Sequence, residues 1–214
     1  MKSSDYFQIR EIWVQPSLRF LESSRILALQ GKNLLDVDLK KIERQLQIQY
    51  PQVSNLRLMR RFPDQVRVVA LRRFPFAQAK IGEKRIILDE EGNVLSSADS
   101  SGGELPWIVG LNGMRSRPEI GLPLRDKEVQ IALEILKLFH TARDLSAYHV
   151  SKIDVSNLSQ INFYISDDLR IIMSEEGIYR QLRMLSLVLP QARAELAKTK
   201  YIDLRFKEPI LGKK

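Results

Sequence analysis

The stretch Val53-Ser54-Asn55-Leu56-Arg57-Leu58-Met59-Arg60-Arg61-Phe62-Pro63-Asp64-Gln65-Val66-Arg67-Val68-Val69-Ala70-Leu71 reads as two strands around a tight turn. Val53 to Phe62 and Val66 to Leu71 are rich in β-branched and apolar residues, and Pro63-Asp64-Gln65 supplies the reversal. Upstream, Leu39, Ile42, Leu46 and Tyr50 recur at steps of three and four, so a helix ending at Tyr50-Pro51 precedes the hairpin, with Asp36 or Asp38 as its cap. Further back, Leu18 to Leu29 predicts another helix, closed by Gly31. A short strand from Tyr6 to Val14, stopped at Gln15-Pro16, comes first. The order is β-α-α-β-β within the first eighty residues.

The remainder continues in kind. Arg85 to Leu88 and Val94-Leu95 form a hairpin around Asp89-Glu90-Glu91-Gly92-Asn93. The acidic cluster resembles a calcium loop but lacks the alternating oxygen ligands and the distal Glu, which leaves a turn. Ser96 to Glu104 reads as a polar loop and Leu105 to Gly110 as a buried segment. Asp126 to Phe139 is a helix apolar around most of its circumference, hence packed on several sides. Ile153 to Val155, Ile161 to Ile165 and Leu169 to Met173 read as strands, the last two turning at Ser166-Asp167-Asp168. Ile178, Leu182, Leu185 and Leu189 mark an amphipathic helix to Pro190, with a further turn or two through Ala192 to Ala197. The run Tyr201-Ile202-Asp203-Leu204-Arg205-Phe206 alternates with period two, placing Ile202, Leu204 and Phe206 on one side and Tyr201, Asp203 and Arg205 on the other. So near the C-terminus it is expected at a sheet edge, where it could accept another chain's strand; an ordinary buried strand has the same periodicity.

The 214 residues are enough for two domains with real cores, and 44% hydrophobic against 28% charged residues excludes both a disordered tail and a bundle of membrane spans. The absence of cysteine removes disulfides, thiolate chemistry and Cys-ligated zinc, and His140 and His149 stand in no metal-binding spacing. No nucleophile elbow, phosphate loop or dinucleotide fingerprint appears, so the reading is non-enzymatic, without cofactor or metal. The formal charge is +8, from 34 Lys and Arg against 26 Asp and Glu. Residues 1 to 80 hold 15 basic and 7 acidic side chains, and the rest hold 19 of each, so the whole excess lies in the first part. Arg57, Arg61, Arg67 and Arg73 fall at alternate positions of the hairpin strands and predict a positive sheet face, for which nucleic acid, anionic lipid or an acidic protein is the partner class. No aromatic run or helix-turn-helix spacing supports nucleic acid, which is not expected as a partner.

Several motifs, taken in order, carry a family resemblance. Phe7-x-Ile9-x-x-Ile12-x-Val14, Gly31-x-Asn33-Leu34-Leu35-x-Val37-Asp38, Tyr50-Pro51-x-Val53, Arg61-Phe62-Pro63, Val66-x-Val68 and Arg73-x-Pro75-x-Ala77 resemble a POTRA domain. Asp89-x-x-Gly92-x-Val94-Leu95, Leu105-Pro106-x-Ile108-x-Gly110 and Tyr201 to Phe206 resemble the FtsQ/DivIB cell-division family. The resemblance implies an α+β chain: a POTRA domain at residues 1–78, then a larger mixed α/β domain at 79–214 with a mainly antiparallel sheet, ending in a partner-binding edge strand. It implies the extracytoplasmic part of a single-pass protein of the cell inner membrane at the division septum, anchored by an N-terminal helix, with Met1 an artificial start. It also implies a divisome scaffold without enzymatic activity, holding the coiled-coil division proteins FtsB and FtsL and helping to control septal peptidoglycan synthesis. By motif match, strand addition by the FtsB-like partner falls to Tyr201, Asp203, Arg205, Phe206 and Glu208. The chain departs from the family pattern at Phe206, where Tyr is usual, and at Arg72, Ser174 and Gln15-Pro16. The alternative is a POTRA-bearing assembly module for outer-membrane or transport proteins; neither repeated POTRA units nor a long barrel pattern accompanies it.

Overall fold

The computed structural model describes residues 5–22, 24–82, 84–97, 105–111, 113–114, 117–165, 169–191 and 199–213. Residues 98–104 of the loop expected from Ser96 to Glu104, the turn at 166–168 and the extra turns at 192–197 lie outside the described residues. Two compact units emerge, Met1–Phe74 and Pro75–Lys214. Ala77 and Gln78 pair in the sheet of the second.

The first unit has the β-α-α-β-β order. Strands β1 (Glu11–Val14), β2 (Val53–Arg61) and β3 (Gln65–Arg72) form a sheet of order β1-β3-β2, with β1 parallel and β2 antiparallel to the central β3. Helix α2 (Leu39–Gln49) starts where Asp38 accepts a hydrogen bond from the Lys41 N–H at 3.0 Å, which satisfies one of the free donors of its first turn. Leu39 and Leu46 of α2 are buried with Val66, Val68, Leu56 and Leu58 of the sheet. Asn55, at φ +51, sits in the bulge that shifts the register between Ser54 and Arg57; it re-phases β2 so that Leu56 and Leu58 both point inward.

Two expectations for this unit need correction. The segment from Tyr6 is not one strand: Asp5–Phe7 is a 3-10 turn and β1 begins only at Glu11, Gln8 making an isolated bridge to Asn33. The helix expected over Leu18 to Leu29 is divided into a 3-10 segment, Pro16–Leu21, kinked at Leu18 (φ −116°), and the short helix α1, Ser24–Leu27. Leu18, Leu21, Ile26 and Leu29 are all buried, so the apolar spacing was set by the core and the backbone takes a tighter path to meet it.

The second unit is built on nine strands in the order β12-β11-β10-β9-β8-β7-β4-β5-β6. They are β4 (Ala77–Ile81), β5 (Lys84–Leu88), β6 (Val94–Ser97), β7 (Trp107–Val109), β8 (Val150–Asp154), β9 (Ile161–Ile165), β10 (Leu169–Met173), β11 (Thr199–Asp203) and β12 (Ile210–Lys213). Strand β6 takes in Ser96 and Ser97, which the sequence assigned to a loop. Most neighbouring pairs are antiparallel; β4·β7, β7·β8 and β10·β11 are parallel. A parallel neighbour requires a crossover, and α3 (Lys127–Thr141) and α4 (Ile178–Gln191) supply those of β7–β8 and β10–β11. Both helices pack on the face lined by Ala79, Ile86, Ile108, Ile153, Phe163, Ile171 and Ile202, with Phe139 of α3 edge-on to Phe163 at 6.0 Å. Gly110, at φ +85, ends β7 where any Cβ would collide with the Ser156 backbone and the Asp154 carboxylate. The architecture is α+β, with a POTRA-type unit followed by a mixed, mostly antiparallel β domain.

Candidate partner-binding edge of the large sheet

The closing motif does not form the strand its periodicity suggests. Strand β11 stops at Asp203, because the Asp203 carboxylate accepts a hydrogen bond from the Arg205 backbone N–H at 3.1 Å and turns the chain. Strand β11 is also internal, parallel to β10 on one side and antiparallel to β12 on the other. The edge belongs to β12. The sequence missed this strand because Ile210 to Lys213 is four residues long, preceded by Pro209 and interrupted by Gly212. Its signal was the apolar pair Ile210-Leu211 after a proline that cannot extend the preceding turn.

The expected partner-binding residues therefore hold different positions. Ile202 and Leu204 are buried as the alternation requires, but Phe206 is 51% exposed in the turn after β11. Glu208 is exposed in the same turn. The Phe206 carbonyl accepts from Arg180 of α4 at 3.4 Å, which ties the turn to the helix. Asp203 is 6% exposed and forms a two-pronged pair with Arg205, whose Nη2 stands 2.7 Å from Oδ2 and whose Nε stands 3.0 Å from Oδ1. Burial pushes the Asp203 carboxyl upward, but the hydrogen bonds from Arg205 and the charges of Arg205 and Arg170 overcome it and hold the group below its usual 3.8. The hydrogen bond to Asp203 raises Arg205 in turn.

Tyr201 belongs to a row that crosses the whole sheet on the face opposite the helices. Register aligns Gly212, Tyr201, Arg170, Tyr164, Lys152, Trp107, Gln78, Ile87 and Ser96 side by side. Cations and rings alternate in it: Arg170 lies 5.4 Å from the Tyr201 ring centre and Lys152 4.3 Å from that of Tyr164. At the end of the row the Tyr201 ring covers Gly212, where a Cβ would fall inside contact distance of three ring carbons. The edge strand is thus held to β11 both by its ladder and by an aromatic ring laid over its glycine.

In the first unit, β2–β3 pairing places Arg57 opposite Val69, Met59 opposite Arg67 and Arg61 opposite Gln65, so Arg57, Arg61 and Arg67 share the outer sheet face. Arg73 lies beyond β3, its Nε directed at the Val53 carbonyl at 3.4 Å. Arg60 turns the other way and donates to the carbonyls of Leu34 (2.8 Å) and Val37 (2.6 Å). Among the described residues, no helix is long and apolar enough to cross a membrane.

A POTRA-type unit followed by a nine-stranded mixed sheet with an open terminal edge defines a two-domain chain of the POTRA-plus-β-domain class. The family model described as Cell division protein FtsQ/DivIB, C-terminal, matches residues 77–205, and the chain belongs to this family of cell division proteins. It is 24% identical to "Cell division protein FtsQ" of Syntrophotalea carbinolica over 99% of this chain and 75% of that protein. The FtsQ of Koribacter versatilis is 21% identical over 85% of this chain and 52% of its own length. That of Myxococcus fulvus is 35% identical over 43% of this chain and 32% of its own.

Proposed function

We propose that the chain is the extracytoplasmic part of a single-pass inner-membrane divisome scaffold, with a POTRA domain over Met1–Phe74 and a β domain over Pro75–Lys214 whose β12 edge accepts a strand from an FtsB-like partner. The observation that carries the reading is the open side of β12, which pairs with no strand among the described residues and presents Ile210 and Leu211 at 45% and 39% exposure. An edge of this kind offers backbone N–H and C=O groups to an incoming strand, and its side chains set the preference among strands. Phe206 and Glu208 stand exposed in the turn that leads into β12 and flank the incoming chain. Tyr201, Asp203 and Arg205 act behind the edge: the ring holds Gly212, and the ion pair fixes the turn that launches β12. The scaffold holds FtsB-like and FtsL-like proteins and through them helps control septal peptidoglycan synthesis, with no chemistry of its own.

The test is binding of the cognate FtsB-like protein to two variants. Leu211→Pro removes a backbone donor from the edge, and Phe206→Glu puts a charge where an apolar contact is offered. Each should lower affinity at least about tenfold, the equivalent of 1.4 kcal/mol, while the protein still melts cooperatively. Unchanged binding by both variants refutes strand addition at β12.

A further inference from the structure

All of the chain's excess charge lies in its first eighty residues, far in sequence from the β12 edge, and the fold of the first unit gathers part of it on one surface. The β1-β3-β2 sheet turns Leu56, Leu58, Val66, Val68 and Ala70 to its core. On the opposite face, register aligns Trp13, Arg67 and Met59 in one row, with Arg57 opposite Val69 and Arg61 opposite Gln65 in the rows beside it. Arg57 and Arg61 are exposed, as are Met59 (38%) and Leu71 (60%). The Arg67 guanidinium lies 4.3 Å from the Trp13 ring centre, and its buried Nε has no hydrogen-bond partner. Glu11, at the corner beside Gln65, is the one carboxylate the register puts on this face.

We propose that this face docks on an anionic phospholipid surface, with Arg57 and Arg61 on headgroup phosphates and Trp13, Met59 and Leu71 at the boundary with the acyl chains. Guanidinium forks match phosphate oxygens, and cations near a negative bilayer are drawn to it. The apolar side chains between the arginines separate this face from one made for duplex DNA, which would carry further cations and polar groups in their place. A stacked Arg–Trp pair is amphipathic in the sense a membrane interface favours, a ring body with a charged head. An open sheet face also suits a planar surface better than it suits a helix, which needs a groove. The inference rests on the membrane placement proposed above and is independent of strand addition.

The experiment is co-sedimentation of the 214-residue chain with phosphatidylcholine vesicles, with and without phosphatidylglycerol. Binding is expected only to the anionic vesicles and is expected to fall as salt is raised. Each surface cation removed should lower partitioning about fivefold, so Arg57→Glu with Arg61→Glu should cost more than about 25-fold. Arg125→Glu with Arg143→Glu, the same charge change on exposed residues of the second unit, should leave most of the binding. Of the two tryptophans, Trp107→Phe leaves Trp13 as sole reporter, and its emission should be quenched by brominated acyl chains in anionic vesicles and less so after Leu71→Ser. Equal binding to neutral vesicles, or equal loss in both charge-reversal pairs, overturns the proposal. Salt-sensitive capture of duplex DNA without vesicle binding assigns the face to nucleic acid instead. Leu211→Pro should bind vesicles normally, so failure of the lipid face and failure of the β12 edge are read separately.

Discussion

At the scale of single residues, the Asp203–Arg205 pair decides how the edge is presented. Asp203 is almost fully buried, and one of its oxygens accepts from both the backbone and the side chain of Arg205. Its folded-state proton affinity is depressed, so it contributes stability that is present above the usual carboxyl value of 3.8 and is lost as pH falls through the lower folded value. The unfolding free energy of the native chain should therefore decline below that point more steeply than that of Asp203→Asn, measured by denaturant titration across the acid range. Parallel curves would show that the pair carries no linkage. Arg205→Ala should be the more damaging single change, because it leaves a buried carboxylate without its cation, whereas Asp203→Asn leaves a half-buried guanidinium that can still reach water.

At the scale of elements, the attachment of β12 rests on one side-chain choice. Gly212 lies under the Tyr201 ring, so Gly212→Ala forces either the ring off the strand or the strand off β11. Overpacking of this kind costs about 1–3 kcal/mol, and because β12 is terminal the loss should be local. Amide exchange of Ile210 to Lys213 should quicken in Gly212→Ala while β8 and β9 keep their protection. A second variant, Gly212→Ala with Tyr201→Ala, makes room for the methyl and should recover part of the difference; unaltered exchange at β12 would show that the ring does not hold it. These same strands show where sequence is informative. The β2–β3 hairpin was readable because each strand buries alternate residues over most of its length, Leu56 and Leu58 in β2 after the Asn55 bulge and Val66, Val68 and Ala70 in β3, until the alternation lapses at exposed Arg60 and Arg72. Strand β11 was read too long because Leu204 and Phe206 prolong an alternation that the hydrogen bond to the Asp203 side chain ends. Strand β12 was too short for any period to register, and the site residues were therefore assigned to a strand that the structure places inside the sheet. The divided helix at residues 16–29 is the converse error: Leu18, Leu21, Ile26 and Leu29 fit helical spacing and also the tighter path the backbone takes. Parallel pairing of β7 with β4 and β8 depends on crossovers between distant segments, which no local pattern records.

At the scale of the whole molecule, the two units have separate cores. Among the described residues, that of the first runs from Ile9 to Ala70 and that of the second from Ala77 to Leu204, with no buried residue in common. A unit of about seventy residues buries a smaller share of its surface than one twice that size, so the first is expected to be the less stable. Leu46, fully buried where α2 meets the sheet, is the position at which to show it. Leu46→Ala removes most of a core side chain and should cost about 2–5 kcal/mol, lowering the melting temperature of the first unit by more than about 8 °C. Each unit carries one tryptophan, Trp13 in the first and Trp107 in the second, so Trp13→Phe and Trp107→Phe backgrounds report the two melts individually. In the Leu46→Ala chain the Trp13 transition should move down while the Trp107 transition stays in place. If both tryptophans shift together, the units unfold as one cooperative body, and the proposed separation of a lipid-binding unit from a partner-binding unit loses its energetic basis.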